Sequence, residues 1–590
     1  MKCPKALRRN EHGLTEKIMT QRNITRNLLA SLVASLFIPL GAQAADAELM
    51  KKIEAMAKEI ESLRAQVQAN QEANKQAIAD VKDVKEKVQK NEDKALDKWL
   101  TVGGDYQFRV DSLAGETKPF TDVNAFFTAA QTDAMSNPVM MGQMIAFSGA
   151  MSRVQSYQQA TAFLAANAAM IGGLMPYAAQ AAVPSYKPRN ETLYTNRFGL
   201  DLGVKATQDV SLTARLLMYK TFGANDDSAI TNGGSAPFFA DRVGVFDGTL
   251  GHIPSSSYLN VDRVYATWSN IADQDIWFSV GRRPATHGAP SHLRANTARP
   301  GNGGTPALLV DYAFDGMTLG WAPDIDALPG AYGKICYGRG YESGFSKALT
   351  NSLQDTDMLG LSVVPIDTDP LRVWLQMNRG FNIFDAPKMS NTYFGTTMPK
   401  ANLGDIDWYG AGALGTIKHV GPGDLNWFAD AGMSVTHPNN NVSSQFGFQG
   451  LMTGAFFRPE APSSKTGSAI YVGLRYDLPS KTKLGLEYNH GSKNWITFTP
   501  ASGDSWTSKV GTRGNVYEIY AIQEMDSKPI SSRFAKSFFR LGFQYYDFHY
   551  TGSNNWVGAP VRISDVNGQM MTTTPLAKAY NAYATFEVKF

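Results

Sequence analysis

The stretch GRRPATHGAPSHLRANTARPGNGG, residues 281–304, holds Arg282, Arg283, His287, His292, Arg294 and Arg299 and not one Asp or Glu. Guanidinium groups grip carboxylate or phosphate through a fork of donors, so such a cluster suits anions. At a pore constriction it would favour anionic solutes. On an external loop it would meet lipopolysaccharide phosphates, or only solvent. The two histidines would add pH-dependent charge, and without a third ligand they make a weak metal site. There is no G-x-S-x-G, no H-E-x-x-H and no supported pair of acids. His490 and Ser492 in YNHGSKNW are too common a pair to mark a nucleophile and its base. The sequence reads as a non-enzyme with no cofactor and no metal.

Strands must position the cluster. At the C-terminus Phe590, Val588, Phe586, Ala584, Ala582 and Tyr580 fall on one face, and Lys589, Glu587, Thr585, Tyr583 and Asn581 on the other. That is the period of a strand with one apolar face. In WLTVGGDYQFRVDSL, Leu100, Val102, Tyr106, Phe108 and Val110 alternate with Thr101, Asp105, Gln107, Arg109 and Asp111. A charge facing lipid costs about 2–4 kcal/mol at the bilayer midplane, so the Asp/Arg row must face a lumen. RFGLDLGVKATQDVSLTARLLMY and IYVGLRYDLPSKTKLGLEYNHGS read as hairpins turning at Thr207-Gln208-Asp209 and Pro479-Ser480-Lys481; IDTDP and GPGD make two more tight turns. Long Gly-, Asn-, Ser- and Pro-rich segments separate the hairpins. Short turns at one end and long loops at the other are the layout of a bacterial outer-membrane barrel.

The fold class is therefore all-β: a transmembrane antiparallel barrel whose strand number is even. We expect 16 strands, with 18 as the alternative; GAYGKICYGRGY (330–341) reads as part of a broken strand or one of an extra pair. A barrel of this size encloses an aqueous channel. By strand parity Arg109, Arg197, Arg215, Arg263, Arg283, Arg372, Arg475 and Arg540 point inward, with Asp105, Asp111, Asp201, Asp477 and Glu487. Together with Arg282, Arg294 and Arg299, the arginines are the candidate pore-lining and selectivity residues. Tyr488 and Trp495 are expected at the headgroup level.

Arg22 and Arg26 precede the apolar run from Leu28 to Ala44, which closes on Ala42-Gln43-Ala44. This is a cleavable signal peptide over 1–44, with Met19 as a possible true start. Its removal takes seven Lys/Arg and two Asp/Glu from totals of 56 and 53, turning a formal +3 slightly negative. Nucleic acid is thus not an expected partner. Cys336 then stands alone, so no internal disulfide forms, and there is no C-x-x-C-H haem motif.

Residues 45–96 carry a heptad pattern. One seam is Leu49, Met56, Leu63, Asn70, Ala77, Val84 and Asn91; the other is Ile53, Ile60, Val67, Asn74, Val81 and Val88. A periplasmic coiled coil of about 65 Å is expected, making a homo-oligomer with a trimer preferred. The barrel domain spans 97–590. Within it, 115–190 is an Ala- and Met-rich insert between the first two strands, too long for a bare loop. It reads as two or three short helices broken near Pro138 and Gly172-Gly173. It would constrict or plug the lumen, or cap the outer mouth.

WLTVGGDYQFRVDSL, SVGRRPATHGAP and LEYNHGSKNW resemble segments of an uncharacterised porin-like family, a domain of unknown function in the outer-membrane porin superfamily. The resemblance covers roughly 98–590. It implies a barrel in the outer membrane and brings no substrate and no site residues. It also likens Phe590, Val588 and Phe586 to the terminal signal read by the barrel assembly machinery. The expected function is passive diffusion of small hydrophilic solutes with mild anion preference, among outer-membrane lipid and lipopolysaccharide. The alternatives are a sheath around an electron-transfer partner such as a multihaem cytochrome, or a tether between outer membrane and cell wall.

Overall fold

In a computed structural model of the chain, sixteen alternating segments pair antiparallel and close on themselves. The structure describes residues 54–72, 75, 82, 99–223, 252, 254, 256–284, 289–298, 308–345, 353–386, 389–392, 395–499, 503–531 and 535–590. The barrel strands are β1 (Leu100–Thr117), β2 (Arg189–Lys205), β3 (Val210–Thr221), β4 (Ser256–Trp268), β5 (Ile276–Pro284), β6 (Ala313–Trp321), β7 (Tyr332–Tyr341) and β8 (Thr356–Asp367). They continue as β9 (Arg372–Phe381), β10 (Gly404–Val420), β11 (Gly423–Pro438), β12 (Thr466–Asp477), β13 (Thr482–Gly491), β14 (Gly514–Glu524), β15 (Lys536–Phe548) and β16 (Leu576–Lys589). Each pairs with its neighbours in sequence, and β16 returns to β1 in a register running from Asp105↔Lys589 to Ala114↔Tyr580.

Alternation decides the two faces. On β1 Gln107, Arg109 and Asp111 are buried inward. On β8 Leu359, Leu361 and Val363, and on β13 Leu484 and Leu486, stand exposed on the outer face. An exposed apolar band around a polar interior is stable only in hydrocarbon. Toward the long-loop end, Tyr488, Tyr517, Tyr545 and Tyr580 are cross-strand partners. Their rings sit 5.1, 6.2 and 5.2 Å apart in a ladder, an aromatic girdle at the membrane boundary.

The short turns lie where the sequence puts them, at 206–209, 368–371, 421–422 and 478–481. Gly421 (φ 62) and Lys481 (φ 61) supply the left-handed residue that two of them need. The doubtful segment is neither a broken strand nor one of an extra pair: 332–341 is one complete barrel strand, and the count is 16. Its glycines hid it, because a residue without a side chain cannot be sorted to either face. At Gly338 the added space is taken by the Phe314 ring of β6.

Trp495 departs from expectation. It is not at the headgroups but fully buried inside the barrel mouth, its Nε1 donating to the Val510 carbonyl at 2.7 Å. It belongs to an apolar core of Leu308, Leu309, Trp374, Trp408, Phe428, Ile496 and Trp556 that joins inward side chains of β9–β11 to the long loops. Burying each such ring contributes about 1.5–3 kcal/mol. Part of the interior is therefore packed solid.

The insert forms five helices: α1 (Val123–Met135), α2 (Pro138–Met151), α3 (Tyr157–Ala166), α4 (Ala168–Leu174) and α5 (Tyr177–Gln180). Asn137 caps α2, with Pro138 in its first turn, so that break is as read. Gly172-Gly173 is not a break; both lie inside α4, and the chain turns at Asn167 and Pro176 instead. The helices rest on the long loops through a chain of rings: Phe127–Phe456, Phe147–Phe457 and Phe163–Phe448, 5.9, 6.5 and 5.4 Å apart. The insert is thus a cap on the outer mouth. In the N-terminal unit, residues 54–72 are helical; the rest of the heptad pattern and the 1–44 signal segment lie outside the described residues.

Closure sets a first test. The Phe590 backbone bonds Gly104 in both directions, at 2.9 and 3.1 Å. A Cβ on Gly104 would meet the Phe590 ring at 2.7 Å and the Gly199 carbonyl. Gly104→Val is expected to cost about 1–3 kcal/mol and to lower the temperature at which the barrel loses its fast-migrating folded band on a semi-native gel.

Candidate pore-lining site

The described residues between β5 and β6, 289–298 and 308–312, do not stay outside. Residues 291–297 make a tight helical turn, with Ala295 N donating to Ser291 O at 2.9 Å and Thr297 N to His292 O at 3.0 Å. His292, Leu293, Arg294 and Asn296 are all buried. The turn lies against the wall formed by β12–β16, and cations on that wall hold its carbonyls. Arg475, Arg540 and Lys589 each donate at 2.6 Å, to the carbonyls of Leu293, Arg294 and Ala295 in that order. Lys483 reaches Asn296 Oδ1 at 2.8 Å.

Arg294 completes the clamp. Its Nη1 donates to Asp504 Oδ1 at 2.7 Å and to Glu518 Oε2 at 2.9 Å. Burial works against its charge; the Glu518 and Asp504 carboxylates outweigh that and hold its pKa well above the ordinary value. Lys509 also bonds Glu518, at 2.6 Å, and Glu487. Tyr583 OH donates to Glu518 and Tyr471 OH to Glu487, both at 2.6 Å. A buried charge is tolerable only when paired and hydrogen-bonded, and this network pairs each of its charges around the turn.

Between the clamped turn and the wall of β16, β1, β2, β3 and β4 lies a cavity of about 400 Å³. Its cationic lining is Arg109, Arg197, Arg215, Arg263, Arg294, Arg540 and Lys589. Its carboxylates are Asp105, Asp201, Asp262, Asp311 and Glu587. Most of the cations are paired. Arg109 bonds Asp111 at 2.7 Å, Arg197 lies 3.4 Å from Asp105, and Arg540 bonds Glu587 at 2.7 Å. Arg215 contacts Asp105 and lies 2.6 Å from Asp201.

The other candidates fall elsewhere. Arg475 faces inward and pairs with Asp477 at 2.7 Å under the turn. Arg372 is buried against the Tyr332 hydroxyl, outside the cavity lining. Arg283 faces a smaller inward pocket, on Thr318. Arg282 is not pore-lining: adjacent strand residues face opposite ways, and it sits on the outer row beside exposed Val264 and Val280, 3.5 Å from Asp315. Arg299 and His287 lie outside the described residues. His490 bonds Asn515 at 2.8 Å, while Ser492 Oγ accepts from the Ser468 amide. Among the described residues no group of three or more His, Cys, Asp and Glu could hold a metal ion. Sequence reading missed Asp504, Lys509 and Glu518. Glu518 was within reach of parity, since it alternates with exposed Tyr517 and Ile519; Asp504 and Lys509 lie in a loop, where parity has no meaning.

A closed barrel with an apolar outer band, an inward-clamped loop and a charged internal cavity defines a porin-type transmembrane β-barrel protein. Residues 187–590 match the family described as Protein of unknown function (DUF3373), and the chain belongs to that family. No curated relative matches the sequence. Solved structures that resemble it include OmpT of Vibrio cholerae in trimer form, at 12% identity and a TM-score of 0.35, over 83% of this chain and 100% of that one. The anion-selective porin from Comamonas acidovorans aligns at 11% identity and 0.36, over 83% and 99%. OmpF of Salmonella typhi in complex with daunomycin aligns at 8% and 0.35, over 83% and 97%.

The clamp predicts a mutant phenotype. Arg294→Met leaves Asp504 and Glu518 buried without their guanidinium, a loss of about 3–5 kcal/mol for a buried pair broken on one side. The turn should detach, giving larger and noisier single-channel steps in a planar bilayer while the folded band on a semi-native gel persists.

Proposed function

We infer that this protein is an outer-membrane porin for passive diffusion of small hydrophilic solutes, with a mild anion preference and no catalytic activity. The observation that carries this reading is the charged cavity between the clamped turn and the β16–β4 wall. Solutes pass such a constriction according to size and net charge. Cations outnumber carboxylates in the lining, yet Arg109 and Arg294 are neutralised from behind by Asp111, Asp504 and Glu518. The anion preference is therefore weak. The apolar core filling part of the interior weighs against a sheath around a cytochrome, which needs an empty lumen.

The assembly is a homo-oligomer, with a trimer preferred, held partly by the coil in the periplasm. Met56, Ile60, Leu63 and Val67 are each more than half exposed on the single helix, along both seams of the heptad. Water disfavours such a stripe, and further copies of the same helix would cover it. Phe590, with Val588 and Phe586, serves the assembly machinery as its recognition end.

Reconstituted protein is expected to give discrete conductance steps and a reversal potential slightly on the anion side under a salt gradient. Lys589→Glu should move that potential to the cation side; folded barrels that leave the membrane silent would overturn the channel reading. Ile60→Asp with Val67→Asp should collapse cross-linked oligomers toward monomer or leave only barrel-mediated ones, without changing the unit conductance.

A further inference from the structure

A second cavity, of about 410 Å³, opens at the outer mouth, well away from the clamped turn. Its lining comes mainly from α4, α5 and the link between them, the loop 449–458, and the last long loop, 551–573, with Thr121 and Arg513 added. Ile171, Met175, Phe456, Phe457, Met570 and Met571 give it apolar walls. Two guanidiniums also line it, and no Asp, Glu or Lys does. Arg513 is buried and structural, donating to the carbonyls of Trp495, Thr551 and Asn555. Arg458 is exposed, and among the described residues no side chain or carbonyl pairs with its guanidinium.

The wall carrying Arg458 is held in an unusual shape. Phe448 (φ 72), Met452 (φ 56) and Phe457 (φ 54) all have left-handed backbones within ten residues. Bulky residues rarely adopt that region, and the surrounding structure must over-determine them. Here it does: Phe448 and Met452 are fully buried, and Phe456–Phe457 rings lie 4.6 Å apart. Arg458 follows directly, so the fold fixes the position of its backbone on the cavity wall.

We propose that this cavity binds a small organic carboxylate with an apolar body, the carboxylate on Arg458 and the ring or branched chain between the methionines and Phe456–Phe457. A cavity of this volume fits the usual range for small ligands. Thioethers adapt to differently shaped apolar groups. A guanidinium beside an apolar wall takes a carboxylate in a fork, and with no acidic residue in the lining a cationic ligand finds no carboxylate to offset the two guanidiniums. The site stands whether or not the channel conducts, because it lies above the lumen.

The test is isothermal titration of the full-length protein in detergent with 3-phenylpropionate, against empty micelles. The expected result is one saturable site, with affinity at least tenfold weaker for Arg458→Gln and for the neutral analogue 3-phenylpropan-1-ol. Ala178→Trp, which fills the cavity and keeps the charge, should abolish binding as well. Both variants should keep wild-type single-channel conductance in potassium chloride, which separates this site from the channel reading. No saturable binding to the wild type, or equal affinity for wild type and Arg458→Gln, overturns the proposal.

Discussion

Hydrocarbon offers no hydrogen bonds, so every strand amide and carbonyl at membrane depth must find a partner within the protein. The pairing of β16 with β1 is what lets the remaining strands meet that demand, because an open sheet would leave two bare edges in lipid. The pairing needs a glycine. Gly104 lets the Phe590 ring lie against the outer wall while the two backbones exchange hydrogen bonds. The same device recurs around the barrel: Tyr520 lies over Gly485, Tyr583 over Gly542 and Phe428 over Gly473. Inward rings are thereby laid flat against the wall, which leaves room in the lumen for loops.

What occupies that room divides the interior in two. Over β9–β11 the loops meet an apolar core, and packing of Trp374, Trp408, Trp495 and Leu309 excludes water. Over β16–β4 the wall carries ion pairs, and a cavity remains. The turn at 291–297 stands between the two: Leu293 joins the apolar core, while Arg475, Arg540 and Lys589 hold the turn's carbonyls. This choice suits a constriction, since a polar turn can face solute on one side while its carbonyls are satisfied on the other. Outside, the helical cap leans on the loops through rings of phenylalanine, and the outer mouth has a chamber of its own with apolar walls and two guanidiniums.

Strand identity, face and short turns were legible in the residues, because period-two alternation reports directly which side meets lipid. Glycine-rich 332–341 resisted that reading for lack of side chains to sort, and Trp495 was misplaced because an aromatic after a strand suits both a girdle and a buried loop. The arginines were found as a class and their balance was not. Parity gave Arg109 and Arg215 their inward direction; it could not give their partners, Asp111 in the same strand and Asp201 in the neighbouring one.

The sequence by itself determined a barrel of strands with a polar interior, an Ala/Met-rich insert after the first strand and a cluster of basic residues after β5, since composition and periodicity are local properties. Only the tertiary structure decided that Arg294 meets Asp504 and Glu518, 210 and 224 residues away, and that the cap stands above the mouth rather than in the lumen. Contacts between loops depend on how the closed sheet brings distant segments together, and no local pattern encodes that distance.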